Sequence, residues 1–248
     1  MRVIENISYI GTVDKDRILN LYMPDGASTA TFVYFHGGGL EHGSHEFDLL
    51  GKYLAEKGVA LISAQYRMYP DAKYPDFIED SASAVKWALD NANEYGYSNK
   101  IFVGGSSAGG YLSMMLCFDD RWLGAEGLSP MDVAGYIHDA GQPTAHFNVL
   151  KEAGVDSRRV IVDERAPIYY IGLAERYAPM LFIVSDNDMQ NRYEQTMLTL
   201  STLKHFEYDM SKVVLKEMHG RHCQYVGEVD EDGESKFGKI VYDFMNKF

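Results

Sequence analysis

Strand-like and helix-like runs alternate along this 248-residue chain, and the alternation constrains its fold more than any other feature. Amphipathic segments long enough to be crossover helices separate several runs rich in β-branched or aromatic residues. Because parallel strands need such crossovers, we expect an α/β protein with a mostly parallel, eight-stranded sheet and helices on both faces. The predicted strands are RVIENISYI, RILNLYM, TFVYF, VALISA, KIFVGG, VAGYI, MLFIVS and KVVLKEM.

The clearest predicted helix runs from about Pro75 to Tyr95. Its apolar residues recur at three- and four-residue steps along one stripe, and Gly96 follows it as a stop signal. A second helix is predicted over roughly residues 47–57. Two more fit the segments RYEQTMLTLSTLKHF and SKFGKIVYDFMNKF.

We expect residues 1–248 to form one domain. The first two strands are separated only by GTVDK, which predicts an antiparallel hairpin at one edge of the sheet. The stretch at about 141–177 breaks the alternation, and we interpret it as a small lid that passes over the sheet and helps to build the substrate pocket. Its tyrosines, expected either there or in ordinary packing, are Tyr169, Tyr170 and Tyr177.

The charge balance excludes several classes of partner. The chain has 23 Lys and Arg against 36 Asp and Glu, a formal net charge of −13, so nucleic acid and anionic membranes are poor partners and a small molecule fits better. The first residues interleave Glu5 and Asn6 with apolar ones, unlike a signal peptide, and we expect a cytoplasmic protein. Only Cys117 and Cys223 are present, which predicts no disulfide framework but leaves one bond between them open. A homodimer also stays open.

The segment VGGSSAGGYL contains a candidate nucleophile. Gly105, Ser107 and Gly109 satisfy G-x-S-x-G, whereas centring the pattern on Ser106 places an alanine where the second glycine belongs. A predicted strand precedes Ser107 and a predicted helix follows it, as expected for the strained turn that exposes a nucleophilic serine. The alternative is a glycine-rich turn that only packs tightly or holds a phosphate.

A second glycine-rich segment lies about 70 residues earlier, where His36 is followed by three glycines at the end of a predicted buried strand. An acyl-transfer enzyme needs backbone N–H groups aimed at the tetrahedral oxyanion, and glycines let the backbone approach the substrate closely. HGGG loops supply these donors in esterases and lipases. The two motifs therefore support each other, because they occur in the expected order.

Three segments carry a family resemblance: YFHGGG, QYRMYPDAKYPDFIEDSASAVKWALDN and VGGSSAGGYL. The chain resembles the HGGG-bearing branch of the α/β-hydrolases, which includes hormone-sensitive-lipase-like carboxylesterases and small carbohydrate-ester esterases. The likeness covers most of the chain and implies an α/β-hydrolase fold with no cofactor. One departure is that this chain begins almost directly with a strand, where members with large helical caps have additional residues.

The resemblance also implies roles for named residues. The N–H groups of Gly38, Gly39 and Ala108 would form the oxyanion hole, and His36 would hold the loop without taking part in the chemistry. In this fold the acid and then the histidine follow the nucleophile. Asp186 and Asp188 follow the strand MLFIVS, and the pattern in similar enzymes favours Asp188 as the acid. Asp186 is then expected to make turn or capping bonds, and it is kept as the alternative acid.

Two histidines follow the last predicted strand. His219 comes directly after it, whereas His222 lies beyond a glycine in a loop from which it could reach both the serine and the acid. We therefore predict His222 as the base and keep His219 as the alternative. No histidine cluster has the spacing of a complete metal site, so no metal is predicted. The remaining histidines are taken as structural or substrate-lining, with His146 expected to overhang the pocket.

The motifs together predict a serine carboxylic-ester hydrolase with Ser107, His222 and Asp188 as its catalytic residues. It would act through an acyl-enzyme on a small or medium ester, such as a short-chain acyl, acetylated-sugar or aryl ester. The alternatives are an aryl-formamidase, a peptidase or a thioesterase using the same residues. A binding protein of the same fold without activity is the alternative from a different class.

Overall fold

Eight strands form one sheet in the computed structural model, which describes residues Met1–Phe248. The strand order is β1-β2-β4-β3-β5-β6-β7-β8, and all neighbours from β4 to β8 pair in parallel. The pairs β1–β2 and β2–β4 are antiparallel, so the predicted parallel sheet with an edge hairpin is confirmed. The strands are β1 (Arg2–Ser8), β2 (Ile18–Met23), β3 (Ala30–Phe35), β4 (Val59–Ala64), β5 (Ile101–Ser106), β6 (Gly135–Asp139), β7 (Met180–Asn187) and β8 (Val213–Arg221).

Seven α-helices accompany the sheet, and none is both long and apolar enough to cross a membrane. The predicted helix over Pro75–Tyr95 is found one residue shorter. The two short helices Asp120–Ala125 and Phe147–Glu152 were not predicted from the sequence. The helices are α1 (Asp48–Glu56), α2 (Asp76–Tyr95), α3 (Ala108–Phe118), α4 (Asp120–Ala125), α5 (Phe147–Glu152), α6 (Arg192–His205) and α7 (Lys236–Lys247).

The central strand β3 shows how the sheet separates two hydrophobic cores. Successive side chains of a strand point to opposite faces. Phe32 and Tyr34 pack with residues of α1 and α7, whereas Val33 and Phe35 pack with residues of α2 and α3. Burying an aromatic side chain of this size contributes roughly 2 kcal/mol, so both faces of the strand need a helical cover. This explains why the strand sequence is apolar without alternation.

The strands β7 and β8 extend further than their sequences predict. Asn187 pairs with Arg221 beyond a local shift in register. Asp186 therefore lies within β7 and His219 within β8, whereas the sequence predicted that both residues directly follow these strands. Pairing between these two strands, rather than the propensity of either one, sets where they end.

The segment between β6 and β7 contains α5 and a short 3-10 helix, Pro167–Tyr170. Two of its tyrosines pack inside the protein. Tyr177 stacks on Tyr208 with 4.4 Å between ring centroids, and the Tyr170 hydroxyl donates to the carbonyl of Glu164 at 2.8 Å. Tyr169 is exposed. The part of this segment that lines a cavity near Ser107 is instead the start of α5, with Phe147 and Asn148.

Candidate active site

Ser107 occupies a sharp turn between β5 and α3. Its φ of 56° lies in the left-handed region, which a residue with a side chain rarely adopts without support from its surroundings. A Cβ on either flanking glycine, Gly105 or Gly109, would collide with the main-chain carbonyl of Phe35. The glycine spacing in the sequence is thus required by the close approach of β3. The turn places Ser107 at the N-terminal end of α3, where the helix dipole favours negative charge.

Three predicted side chains meet at this turn. His222 Nε2 lies 2.8 Å from Ser107 Oγ, and His222 Nδ1 lies 2.5 Å from Asp188 Oδ1. The Asp188 side chain is 1% exposed and that of His222 is 21% exposed. The arrangement is the one a serine nucleophile needs, because one ring nitrogen faces the hydroxyl and the other faces a buried carboxylate.

Asp188 is held in its ionised form by its contacts. Burial alone would raise its pKa, but the hydrogen bond and charge of His222 and the N–H groups of Met189 and Ser185 hold it below its usual range. Met189 N–H donates at 2.7 Å and Ser185 N–H at 3.2 Å. A carboxylate that is charged at neutral pH can stabilise an imidazolium formed at His222.

The alternative pair lies apart from Ser107. His219 Nδ1 is 2.6 Å from Asp186 Oδ2, and the two side chains are 100% and 51% exposed. Asp186 also accepts from the N–H of Gly220 at 3.0 Å, and its hydrogen bonds with His219 and Gly220 lower its pKa. Neither residue bonds to Ser107. Asp186 thus makes cross-strand hydrogen bonds rather than the turn or capping bonds expected from the sequence.

The glycine loop after β3 lies beside Ser107. Gly38 and Gly39 have φ values of 112° and 67°, and neither N–H donates to another group of the protein. Ala108 is the first residue of α3, so its N–H has no acceptor within the helix. The side-chain amide of Asn148 donates to the carbonyl of Gly39 at 2.5 Å and so holds the loop from the α5 side. Backbone donors are therefore available where the resemblance placed an oxyanion hole.

His36 contacts the glycine loop after β3 from the protein interior and stabilises its conformation. Its ring nitrogens contact the carbonyl of Gly37 at 2.7 Å and the side-chain oxygen of Gln65 at 2.9 Å, and the ring stacks on Tyr66 at 4.5 Å. Burial lowers the pKa of His36 to about 4, so the imidazole is neutral at physiological pH. These contacts are those of a residue that shapes the backbone.

The site opens into a cavity of about 560 Å³ lined by both glycine-rich segments and by His222. Tyr169, Tyr170 and Tyr177 do not line it. His146, expected to overhang the pocket, is instead buried as the N-cap of α5, where its ring nitrogen accepts from the N–H of Asn148 at 3.2 Å. Other lining side chains are Phe147, Asn148, Met189, Cys223 and Val226.

Sequence reasoning missed Asp139, the last residue of β6. It is completely buried, and its two carboxylate oxygens accept from the hydroxyls of Ser106, at 2.5 Å, and of Tyr225. Its carbonyl accepts from the N–H of Ser107 at 2.7 Å. Through these hydrogen bonds, Asp139 connects the turn at Ser107 with the segment that follows His222. The available signal was an acidic residue at the carboxyl end of a predicted strand, in the run VAGYIHDAG.

Asp139 predicts a pH dependence of stability. Burial raises the pKa of this carboxyl to about 6 from an ordinary 3.8, against the opposing effect of its two hydrogen bonds. As the pH rises from 3.8 to about 6, the unfolded chain loses the carboxyl proton before the native protein does. The free energy of unfolding therefore falls as the pH rises. Between about pH 4.5 and about pH 7.5, the wild type should lose about 2 kcal/mol of unfolding free energy relative to Asp139→Asn.

Urea denaturation of both proteins at the two pH values measures this difference. Asp71→Asn, at an exposed carboxylate, is the reference for effects of charge alone. Parallel pH profiles for wild type and Asp139→Asn would contradict the prediction. The comparison does not depend on the absolute stability of the variant, because only the change with pH is used.

The strand order, the turn at Ser107 and the histidine after the last strand together define an α/β-hydrolase fold. The family model BD-FAE matches residues 19–124. The solved structure of a truncated form of a carbohydrate esterase from gut microbiota is similar, with a TM-score of 0.79 at 17% identity over 100% of this chain and 96% of that one. The chain has the α/β-hydrolase fold that its motifs predicted, and it is similar to esterases of that fold.

Two curated relatives match less than half of the chain. The arylacetamide deacetylase of Bos taurus is 35% identical over 119 residues, which cover 44% of this chain and 30% of the relative. The acetyl esterase of Salmonella paratyphi B is 34% identical over 102 residues, which cover 40% of this chain and 32% of the relative. The matched region therefore spans about a third of the length of each relative.

Proposed function

We propose that this protein is a serine carboxylic-ester hydrolase that works through an acyl-enzyme. The observation that carries the proposal is the chain of hydrogen bonds from Ser107 through His222 to the buried Asp188, at a cavity that also holds free backbone N–H groups. The similarity to an acetyl esterase and to an arylacetamide deacetylase supports the same class of chemistry.

In the acylation half-reaction, Ser107 Oγ attacks the ester carbonyl carbon while His222 Nε2 takes the hydroxyl proton. The oxyanion accepts hydrogen bonds from the N–H groups of the glycine loop and of Ala108. One such donor is typically worth about 100-fold to 1,000-fold in turnover. The bond to the alcohol oxygen then breaks, the alkoxide takes the proton from Nε2, and the alcohol leaves an acyl group on Ser107.

Water completes the cycle. It attacks the acyl carbonyl carbon while His222 Nε2 takes one of its protons, and the bond to Ser107 Oγ breaks as Nε2 returns that proton to the serine. The products are one carboxylic acid and one alcohol for each ester and water consumed. Asp188 accepts a hydrogen bond from the Nδ1–H of His222 throughout, and its negative charge stabilises the imidazolium in both half-reactions.

The cavity of about 560 Å³ suits a small or medium ester. The proposal treats residues 1–248 as one domain and the segment at 141–177 as a small lid that supplies Phe147 and Asn148 to the pocket. The proposed location is the cytoplasm, because both cysteines are free thiols, as is usual in a reducing compartment.

A fluorophosphonate probe tests the proposed function. The wild type should be labelled on Ser107, and Ser107→Ala should not be labelled. The neighbouring Ser106→Ala variant is the matched control and should keep its labelling. A wild type that resists the probe, or equal labelling after Ser107→Ala, would refute the proposal. A panel of p-nitrophenyl, feruloyl and acetylated-sugar esters then narrows the substrate class.

A further inference from the structure

A second cavity, of about 390 Å³, adjoins the cavity at Ser107. Phe147 and Met189 line both, so a substrate that extends past them would enter the second cavity. The charged residues that line the second cavity are all arginines, Arg158, Arg159 and Arg192, and no carboxylate lines it. This contrasts with a net charge of −13 for the whole chain.

Arg192 is the most unusual of the three. It is 4% exposed and forms no ion pair. One guanidinium nitrogen donates to the carbonyl of Ala140, and the other terminal nitrogen lies 3.4 Å from the side-chain oxygen of Gln142, which is a long contact. A guanidinium has five N–H donors, so most of them lack an acceptor. A buried cation without a paired anion is costly, and proteins rarely retain one without a compensating partner.

No carboxylate of the protein forms an ion pair or a hydrogen bond with Arg192. Burial lowers its pKa, and the charge of Asp188 acts in the opposite direction. The oxygens of Asp188 already accept from His222, Ser185 and Met189. Asp188 therefore offsets part of the charge of Arg192 but forms no hydrogen bond with its guanidinium.

The rim of the cavity adds to its positive character. Arg159 is exposed and forms no ion pair, whereas Arg158 is paired with Asp156 at 2.6 Å. The helix α6 begins at Arg192, and its N-cap residue Asn191 makes no side-chain capping bond. The N–H groups of Arg192 and Gln195 are bonded to the carbonyls of Met189 and Asn191, so α6 contributes the dipole at its N-terminal end, which attracts anions.

We infer that the second cavity binds a carboxylate of the substrate, so that the preferred substrates are esters that carry a second, ionised carboxyl group. This inference rests on the proposed ester hydrolase function and specifies its substrate class. The carboxylate belongs to whichever part of the ester, acyl or alcohol, reaches past Phe147 and Met189. Arg192 binds it inside the cavity, and Arg159 attracts it at the rim.

Two matched pairs of esters test the inference and distinguish the two sources of the carboxylate. For the acyl part the pair is mono-p-nitrophenyl adipate and p-nitrophenyl hexanoate. For the alcohol part it is 4-acetoxybenzoate and its methyl ester. In one pair the wild type should have a higher kcat/KM for the charged ester than for the neutral one, and the preference should fall as salt is added. A preference for the neutral ester in both pairs would overturn the inference.

Three variants locate the effect. Arg192→Met should lower the charged-to-neutral ratio of kcat/KM by about 10-fold to 100-fold, as expected when a charge-assisted hydrogen bond is lost. Arg159→Glu should lower it by about threefold or more through the reversed rim charge. The control Arg176→Glu makes the same change of charge at an exposed site outside the cavity and should keep the ratio.

The outcomes separate this inference from the proposed function. Labelling of Ser107 and hydrolysis of the neutral esters test the function alone. If both occur while the ratio is the same in wild type, Arg192→Met and Arg159→Glu, the substrate class is wrong and the function stands. If circular dichroism shows that Arg192→Met does not fold, the charged-to-neutral ratio of kcat/KM is compared between Arg159→Glu and Arg176→Glu. A ratio lowered only in Arg159→Glu supports the inference, and equal ratios overturn it. If neither ester is hydrolysed and Ser107 is not labelled, the function and the substrate class fail together.

Discussion

Replacing His222 with alanine is expected to lower kcat for a p-nitrophenyl ester by on the order of 10⁴-fold to 10⁶-fold. Its Nε2 is the only base within hydrogen-bonding distance of Ser107 Oγ, at 2.8 Å. Without it the serine proton has no acceptor and the leaving alkoxide has no donor. The rate that remains would come from the oxyanion donors and from binding alone.

His219 offers a matched control for this experiment. It has its own aspartate partner at 2.6 Å and lies three residues away, but its side chain is fully exposed. His219→Ala should therefore keep turnover within about threefold of the wild type, as expected for a surface substitution. If His219→Ala instead abolished turnover while His222→Ala preserved it, the assignment of the base would be wrong.

Replacing Asp188 with asparagine is expected to lower kcat by on the order of 10⁴-fold. Asp188 accepts three hydrogen bonds, from His222, Met189 and Ser185, and an amide supplies only one acceptor oxygen. In either orientation the new NH₂ group faces a donor. If it faces His222 Nδ1, the ring must carry its proton on Nε2 and can no longer accept the proton of Ser107. The stabilising charge beside the imidazolium is also lost.

Asp186→Asn is the control for Asp188→Asn. It removes a carboxylate that also binds a histidine, but at the exposed end of β7, so turnover should stay within about threefold of the wild type. Steady-state kinetics of the two asparagine variants, with thermal melting to check their folding, measures the difference. A loss of several orders of magnitude in Asp186→Asn alone would exchange the two roles.

The nucleophile turn could be predicted because its requirements are local. The serine must adopt a left-handed φ, and the residues two positions to either side must be glycine where the backbone of β3 approaches. The sequence shows the glycine spacing directly, and that spacing is typical of a turn with such a serine. The same is true of α2, whose apolar stripe is visible as a three- and four-residue repeat and whose predicted start differs from the observed one by a single residue.

The choices between Asp186 and Asp188, and between His219 and His222, depended on strand pairing. Both aspartates follow the same apolar run, and the two histidines are separated by only two residues. The pairing of Asn187 with Arg221 extends β7 and β8 and places Asp186 and His219 side by side on the surface. Neither strand by itself contains the information on where the other one ends.

The sequence by itself determined the order of strands and helices, the class of fold and Ser107 as the candidate nucleophile, because these follow from periodicity and from steric demands within a few residues. Only the tertiary structure decided which acid and histidine join Ser107, and only it revealed the buried Asp139 and Arg192. The physical reason is that burial and hydrogen bonding of a charged side chain are set by segments 30 or more residues away. Because charged residues are mostly exposed in proteins, the sequence alone predicts an exposed side chain at such a position, and only the folded structure shows that it is buried.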